Sequence, residues 1–371
     1  MTGWPPAFTS EAVFKFEQAF LLPGLTDIKA RIGCTDVEVT RLGFGAAAMA
    51  GLYQAVPEDQ ALASVTAAYD AGVRYFDTAP HYGFGLSETR LGAALARLDP
   101  QETAVVSTKV GRLLVPVDAD PDQERHGFVG AAPFEPHFDY SYDAVMRSFE
   151  ESLRRLGRTR IDILLAHDLG RATHGDGHDD HCRTFFEGGY KAMRDLRDGG
   201  VVGAIGLGVN EWQVCEEVLA HGDFDAFLLA GRYTLLEQTA LETFLPLCEE
   251  RGCSIILGGP FNSGILVEGV EGDRTPHYNY EPAPADIIER VRRIEAVCRA
   301  HGVPLAAAAL QFPLAHRKVA CVIPGMADEN QVSEALRLAG VKIPQALWRD
   351  LKTEGLLHPA APTPHPETVV S

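Results

Sequence analysis

The sequence predicts a single (β/α)8 TIM barrel, an α/β fold of eight parallel strands, with an N-terminal hairpin and two long loops at the C-terminal face. Three observations carry this. Short β-rich runs alternate with helical patterns along most of the chain, which implies a parallel sheet. Eight such runs can be counted, and eight over 371 residues point to a closed barrel rather than an open sheet. Both long interruptions of the rhythm follow strand C-termini, the face on which barrel active sites lie. The chain therefore divides into an N-terminal extension, 1–29, a barrel, 30–356, and a C-terminal tail, 357–371.

Residues 30–53 read as a short hairpin leading into a strand at 41–44. Val73-Arg74-Tyr75-Phe76-Asp77 is the second strand, 87–98 a helix and 103–109 the third strand. Residues 142–156 carry Val145, Met146, Phe149, Leu153 and Leu156 at helical spacing. Strands at 161–166, 201–207, 226–230 and 254–257 then alternate with helices at 185–197, 212–220 and 241–250. Helical patterns at 285–300 and 305–314 precede the last strand, 319–323. The two long loops are 111–141, after the strand ending at Lys109, and 168–183, after the strand ending near His167. Loops of that length in a compact domain are usually functional or disordered.

Composition narrows the function classes. Hydrophobic residues make up 46% and charged residues 23%, ordinary for a soluble globular protein. With 51 acidic and 33 basic residues the formal net charge is -18. Such a chain offers no clustered cations for a nucleic acid, and no attraction to anionic membranes. No stretch is long and apolar enough to span a bilayer. The start, Met1 to Thr9, has no basic region followed by an apolar core, so it is not a signal peptide. The seven cysteines form no Cys-x-x-Cys pair, and free thiols in a reducing cytoplasm are expected.

Chemistry concentrates at strand ends. Asp77 ends the second strand, Lys109 the third and His167 the fourth, while Tyr82 lies in the Gly-rich turn after Asp77. Adjacent strand ends converge on one mouth of a barrel, so these four side chains should meet. A tyrosine with a pKa of about 10 is a poor catalyst near neutrality, and a neighbouring ammonium lowers that value. Asp77 would hold Lys109 charged and aimed, and a neutral His167 could donate to an oxygen on which charge develops. Singly, each residue has an ordinary reading as a turn, a solvated strand end or a core histidine. Their coincidence at consecutive strand ends favours a catalytic group that moves a hydride and a proton at a carbonyl.

The run from Gly72 to Gly83, followed by Ser87-Glu88-Thr89-Arg90-Leu91-Gly92, resembles the aldo-keto reductase signature. So do Ser107-Thr108-Lys109, Arg160-Ile161-Asp162 with His167, and Val322-Ile323-Pro324-Gly325. The resemblance spans about 30–356. It implies a (β/α)8 barrel, an NAD or NADP cofactor, no metal, and Asp77, Tyr82, Lys109 and His167 as catalytic residues. Ala230 to Gln238 and Gly258 to Gly264 look most like bacterial aldose 1-dehydrogenases. By the same resemblance Asn210 would bind the cofactor's carboxamide and Tyr233 would stack on its nicotinamide. Gly259, Phe261 and Ser263 would form the pyrophosphate loop, and Gly45, Gly325, Met326, Ala327 and Glu334 would also contact the cofactor. The chain departs from the pattern at Val209, Ala230 and Ala335, where serine, glutamine and asparagine are usual.

Other signals weigh less. Gly43-Phe44-Gly45-Ala46-Ala47-Ala48 matches a dinucleotide fingerprint, but Gly51 and Pro57 interrupt the helix it requires. His174, Asp176, His178, Asp179, Asp180, His181 and Cys182 offer metal-ligand types without rigid spacing, and read as a polar loop bordering the substrate. Phe128, Phe134, Phe138 and Tyr140 serve either as a lid or as anchors of the first long loop. The run after Pro324-Gly325 holds Asp328 and Glu329 and no Lys or Arg. A 2′-phosphate normally needs such a cation, so NAD is preferred or both cofactors are used. The expected substrate is a small carbonyl compound or sugar: a free aldose oxidised at C1 to its lactone. The alternative is reduction of another carbonyl compound, such as a xenobiotic ketone or pyridoxal. A redox-sensing regulatory subunit is disfavoured by the intact catalytic group.

Overall fold

Eight strands occur where the sequence predicts them: β1 (Phe44–Gly45), β2 (Tyr75–Asp77), β3 (Val105–Val110), β4 (Ile161–His167), β5 (Val202–Val209), β6 (Ala226–Ala230), β7 (Ser254–Gly258) and β8 (Val319–Ile323). Every neighbouring pair is parallel and the spatial order is the chain order. Parallel bridges Leu42–Val322 and Gly45–Gly325 join the ends of the sheet and close the barrel. The computed structural model describes residues 24–365 apart from 121–122 and 273–274, so most of the predicted N-terminal extension lies outside the described residues.

Strand alternation makes two cores. Tyr75, Ile163, Leu165, Ala204, Leu228, Ile256 and Cys321 fill the barrel, whereas Phe76, Leu164, Ala166, Ile205 and Leu257 face the helices. The antiparallel hairpin Lys29–Arg31 with Glu38–Thr40 adds Ile32 and Val39 to the inner cluster and plugs the N-terminal end. Outside, helix Tyr142–Leu156 buries Val145, Phe149 and Leu156 of its predicted stripe. It starts at Ser141, whose Oγ accepts from Ala144 N, and stops at Gly157 with φ 62°. Its end sits so close to helix Leu86–Leu98 that a Cβ on Gly92 would meet Leu156 O at 2.5 Å.

Some elements go beyond the sequence reading. Helix Glu58–Asp70 buries Ala61, Ser64, Val65 and Ala68, small residues that give little hydrophobic contrast to detect. The loop predicted at 111–141 contains an antiparallel hairpin, Arg112–Pro116 with Phe134–Phe138. Pro116 and Pro136 lie within these strands, and prolines are tolerated in a two-stranded ribbon whose strands are both edges. The segment 168–183 is largely helical, with Arg171–His174 and His178–Thr184 running on through residues 185–189 into helix Tyr190–Asp198. Beyond residue 357 the chain lies against the barrel as far as it is described. His358 N donates to Gln238 Oε1 at 3.1 Å and Ala361 is fully buried.

Candidate active site

The register of β2, β3 and β4 brings Asp77, Lys109 and His167 to the C-terminal mouth. Lys109 is buried, and its Nζ donates to Asp77 Oδ1 (3.0 Å), Asp77 Oδ2 (2.9 Å) and Thr78 O (2.9 Å). Ser107 Oγ donates to Asp77 Oδ1 at 2.7 Å and fixes the carboxylate from its other side. The turn after β2 carries Tyr82 inward. Gly83 stands there at φ 59°, where a Cβ would come within 2.8 Å of Ala50 O. Tyr82 lies under the ammonium, with Lys109 Nζ 4.6 Å from its ring centroid, and edge-on to His167 at 5.9 Å. All four predicted catalytic residues thus come together.

Their electrostatics differ in one respect from expectation. Burial acts to lower the pKa of Lys109, but Asp77 and then Tyr82 outweigh it and the ammonium is held charged. Burial pushes the Tyr82 phenol up to about 12, and the pull of Lys109, partly opposed by Asp77, does not bring it below the ordinary tyrosine value. Desolvation exceeds the attraction of one ammonium that Asp77 already neutralises. His167 is held well below its usual range by burial, then by Arg112, Lys109 and His81, and is neutral at physiological pH.

Three residues beside this group escape the sequence reading. Arg112 opens the hairpin after β3, lies over the Phe138 ring at 4.5 Å, approaches both nitrogens of His81 at 3.3 Å and pairs with Asp168. Asp168 directly follows His167 at φ 51°, lies 3.5 Å from His167 Nε2 and accepts from Asn210 Nδ2 at 3.1 Å. His81, packed between His126, Phe128 and His167, is lowered to about 2 by burial, then Arg112, His126 and Lys109. The available signal was position: polar residues one to four places beyond the ends of strands β2, β3 and β4.

A cleft of about 770 Å³ runs from Asp77 and Tyr82 across the mouth. Gly45, Gly259, Phe261, Ser263, Gly325, Met326, Ala327 and Glu334 line it, as the resemblance implied. Two predicted contacts fall outside its lining. Asn210 is tied to Asp168, and its carbonyl accepts from Arg232. Tyr233 is fully buried, its ring against Phe312 and His316 at 5.6 Å each, so it has no face to offer a nicotinamide. The left-handed turn at Gly231 directs the chain so that Tyr233 packs into the outer core. His174 and His181 stack on each other at 4.0 Å over Phe138 and Tyr140, away from the cleft lining. Phe128 stands 6.3 Å from Tyr82, while Phe138 and Tyr140 anchor the hairpin.

The aldo/keto reductase family description matches residues 41–353. This chain belongs to the aldo/keto reductase family. It is 42% identical to the pyridoxal 4-dehydrogenase of Microbacterium luteolum, covering 89% of this chain and 98% of the relative. It is 39% identical to a D-threo-aldose 1-dehydrogenase of a Pseudomonas species, covering 88% and 96%. A solved aldo-keto reductase from Bacillus halodurans, in its holo form, superposes with a TM-score of 0.68 at 25% identity, covering 90% and 97%. The protein is accordingly an oxidoreductase of the NAD(P)-using type.

The cleft of this aldo/keto reductase fits a dinucleotide. It is long, it ends at the buried Asp77–Lys109 pair, and Gly259, Asn262, Ser263 and Gly264 stand in its wall at φ between 45° and 93°. Turns of this kind can aim successive backbone N–H groups to one side, a concave nest that takes anions such as a pyrophosphate. Among the described residues no Lys or Arg lines the cleft. At its far end Asp328 caps helix Glu329–Ala339 by accepting from Gln331 N, and Arg337 is held by Glu334 at 2.6 and 2.7 Å.

Proposed function

We propose that this enzyme oxidises the anomeric carbon of a free aldose to its lactone with NAD+, Tyr82 acting as the acid–base residue. The convergence of Asp77, Tyr82, Lys109 and His167 where the cleft ends carries the hydride-transfer chemistry, and the 39% identity to a D-threo-aldose 1-dehydrogenase supports an aldose as its substrate. In the ring form of an aldose, C1 bears a hydroxyl. Tyr82 takes the proton of that hydroxyl, and Lys109 steadies the phenolate that does so. Neutral His167 donates a hydrogen bond to the same oxygen as it becomes the lactone carbonyl. A dinucleotide held along the Gly259–Gly264 wall would supply the acceptor for the hydride leaving C1. Arg112 and Asp168 pair with one another beside His167 and fix that edge of the site.

The absence of Lys and Arg among the described residues of the cleft lining, together with Asp328 and Glu334 at its far end, supports NAD+ over NADP+. A 2′-phosphate there would meet carboxylates and find Arg337 already engaged.

One observation favours a second substrate. His81 and Phe128 flank Tyr82 at 6.4 and 6.3 Å, with Phe84 and His126 packed against them, an aromatic surround that suits a flat ring, and the Microbacterium luteolum relative is named for pyridoxal. Comparing kcat/KM for a panel of aldoses, pyridoxal and apolar ketones, with each cofactor, separates the readings. Strong discrimination among epimeric or deoxygenated sugars supports an aldose. Flat sugar kinetics beside efficient pyridoxal turnover replaces it with the pyridoxal reading.

A further inference from the structure

We propose that His178, Cys182 and Glu217 form a structural site for a divalent transition metal, best suited to Zn2+, outside the catalytic cleft. His178 and Cys182 are four apart on helix His178–Thr184 and so share one face. Glu217 comes from the neighbouring helix Gln213–Leu219. One ligand atom from each lies within 4.8 Å of the others. His178 Nε2 is 2.9 Å from Glu217 Oε2 and 3.5 Å from Cys182 Sγ. A tetrahedral zinc ion with bonds of about 2.0–2.3 Å holds its ligands about 3.3–3.8 Å apart; Cys182 Sγ lies over the imidazole, 3.5 Å from Nε2 and 3.7 Å from Nδ1, so a turn of the Cys182 side chain about its Cα–Cβ bond brings the thiol to the Nε2 side and admits the ion.

The second nitrogen of His178 strengthens the case. Nδ1 faces Leu169 O at 3.3 Å, the backbone-carbonyl partner that recurs behind metal-bound imidazoles. In the tautomer with the proton on Nδ1, the Nε2 lone pair faces the Glu217 carboxylate and is open to a metal ion; in the other tautomer Nε2 donates to Glu217 instead. His178 and Cys182 are buried, whereas the Glu217 side chain is 44% exposed and leaves a path for the ion. Cys182 and Glu217 also line an open groove with Phe186, Tyr190 and His221, so a fourth position can take water. A thiolate beside imidazole and carboxylate selects zinc-like ions over Mg2+ or Ca2+. The ion would tie Leu169, two residues beyond His167, to the helix that follows β5. We therefore assign it a bracing role and no part in hydride transfer.

The test uses the full-length chain stripped with EDTA and titrated with Zn2+ against a chromophoric chelator. One equivalent should bind, raise Tm, and lose at least tenfold in affinity in both Cys182→Ser and Glu217→Gln. Glu217→Gln guards against misfolding, because its side chain is partly exposed. Co2+ in place of Zn2+ should give a near-ultraviolet thiolate charge-transfer band that Cys182→Ser abolishes. A His174→Asn/His181→Asn control should bind as the parent does. Failure to bind one equivalent, binding indifferent to Cys182 and Glu217, or binding lost only in the control would overturn the proposal.

Discussion

Lys109→Met removes the one cation beside Tyr82 while keeping the bulk of the side chain. The ammonium sits 4.6 Å from the phenol ring centroid. Its attraction to a phenolate at that distance is about 3.6 kcal/mol at an effective dielectric constant of about 20, equivalent to about 2.6 pKa units. Tyr82 already stands at about 12, so the variant's phenol moves further up. Dehydrogenation needs the deprotonated form, so log kcat/KM should climb with pH in the parent and lie about two to three decades lower in the variant throughout. A second effect acts on stability. Asp77 loses its partner at 2.9 Å and remains buried, which costs about 3–5 kcal/mol. The double variant Asp77→Asn/Lys109→Met should therefore regain stability over the single one and remain inactive. The assay is oxidation of an aldose deuterated at C1, where a full primary isotope effect establishes that hydride transfer limits the rate. A single variant within tenfold of the parent under that condition, with an unchanged pH profile, refutes the role given to Lys109.

Tyr82→Phe should lower kcat about 10²–10⁴-fold and leave the affinity for NAD+, measured by fluorescence quenching, nearly unchanged; retention of kcat would assign the proton to another group. Ala327→Arg places a cation at the acidic end of the cleft and should raise the kcat/KM ratio for NADP+ over NAD+; a parent enzyme preferring NADP+ a hundredfold would already defeat the argument. Acid should destabilise the fold through His81 and His167, both of which the native state keeps neutral. Below pH about 6.5 the unfolded chain binds protons that these side chains refuse, so stability falls with falling pH by up to about 1.4 kcal/mol per unit for each. Tm measured from pH 7.5 to 5.5 should show that slope, and His81→Gln should flatten it; an equal slope in the variant counts against His81.

The barrel and the gathering of Asp77, Tyr82, Lys109 and His167 were legible in the sequence because both depend on local pattern. Alternation of strand and helix fixes the eight-fold rhythm, and Asp77, Lys109 and His167 sit at strand ends that any parallel barrel gathers at one mouth. The glycine-rich wall at Gly259 to Gly264 was legible for a similar reason, since its turn chemistry is carried by the residues themselves. Tertiary structure alone decided the rest. Arg112 and Asp168 become partners only when the hairpin after β3 folds over the end of β4, which no sequence spacing encodes. Tyr233 follows a strand end like the others, yet the turn at Gly231 sends it into the outer core against Phe312. The sign of the Tyr82 shift was likewise beyond reach. A sequence can bring a cation to a phenol, but the balance between that attraction and desolvation depends on how completely both are enclosed, and enclosure is a property of the assembled fold.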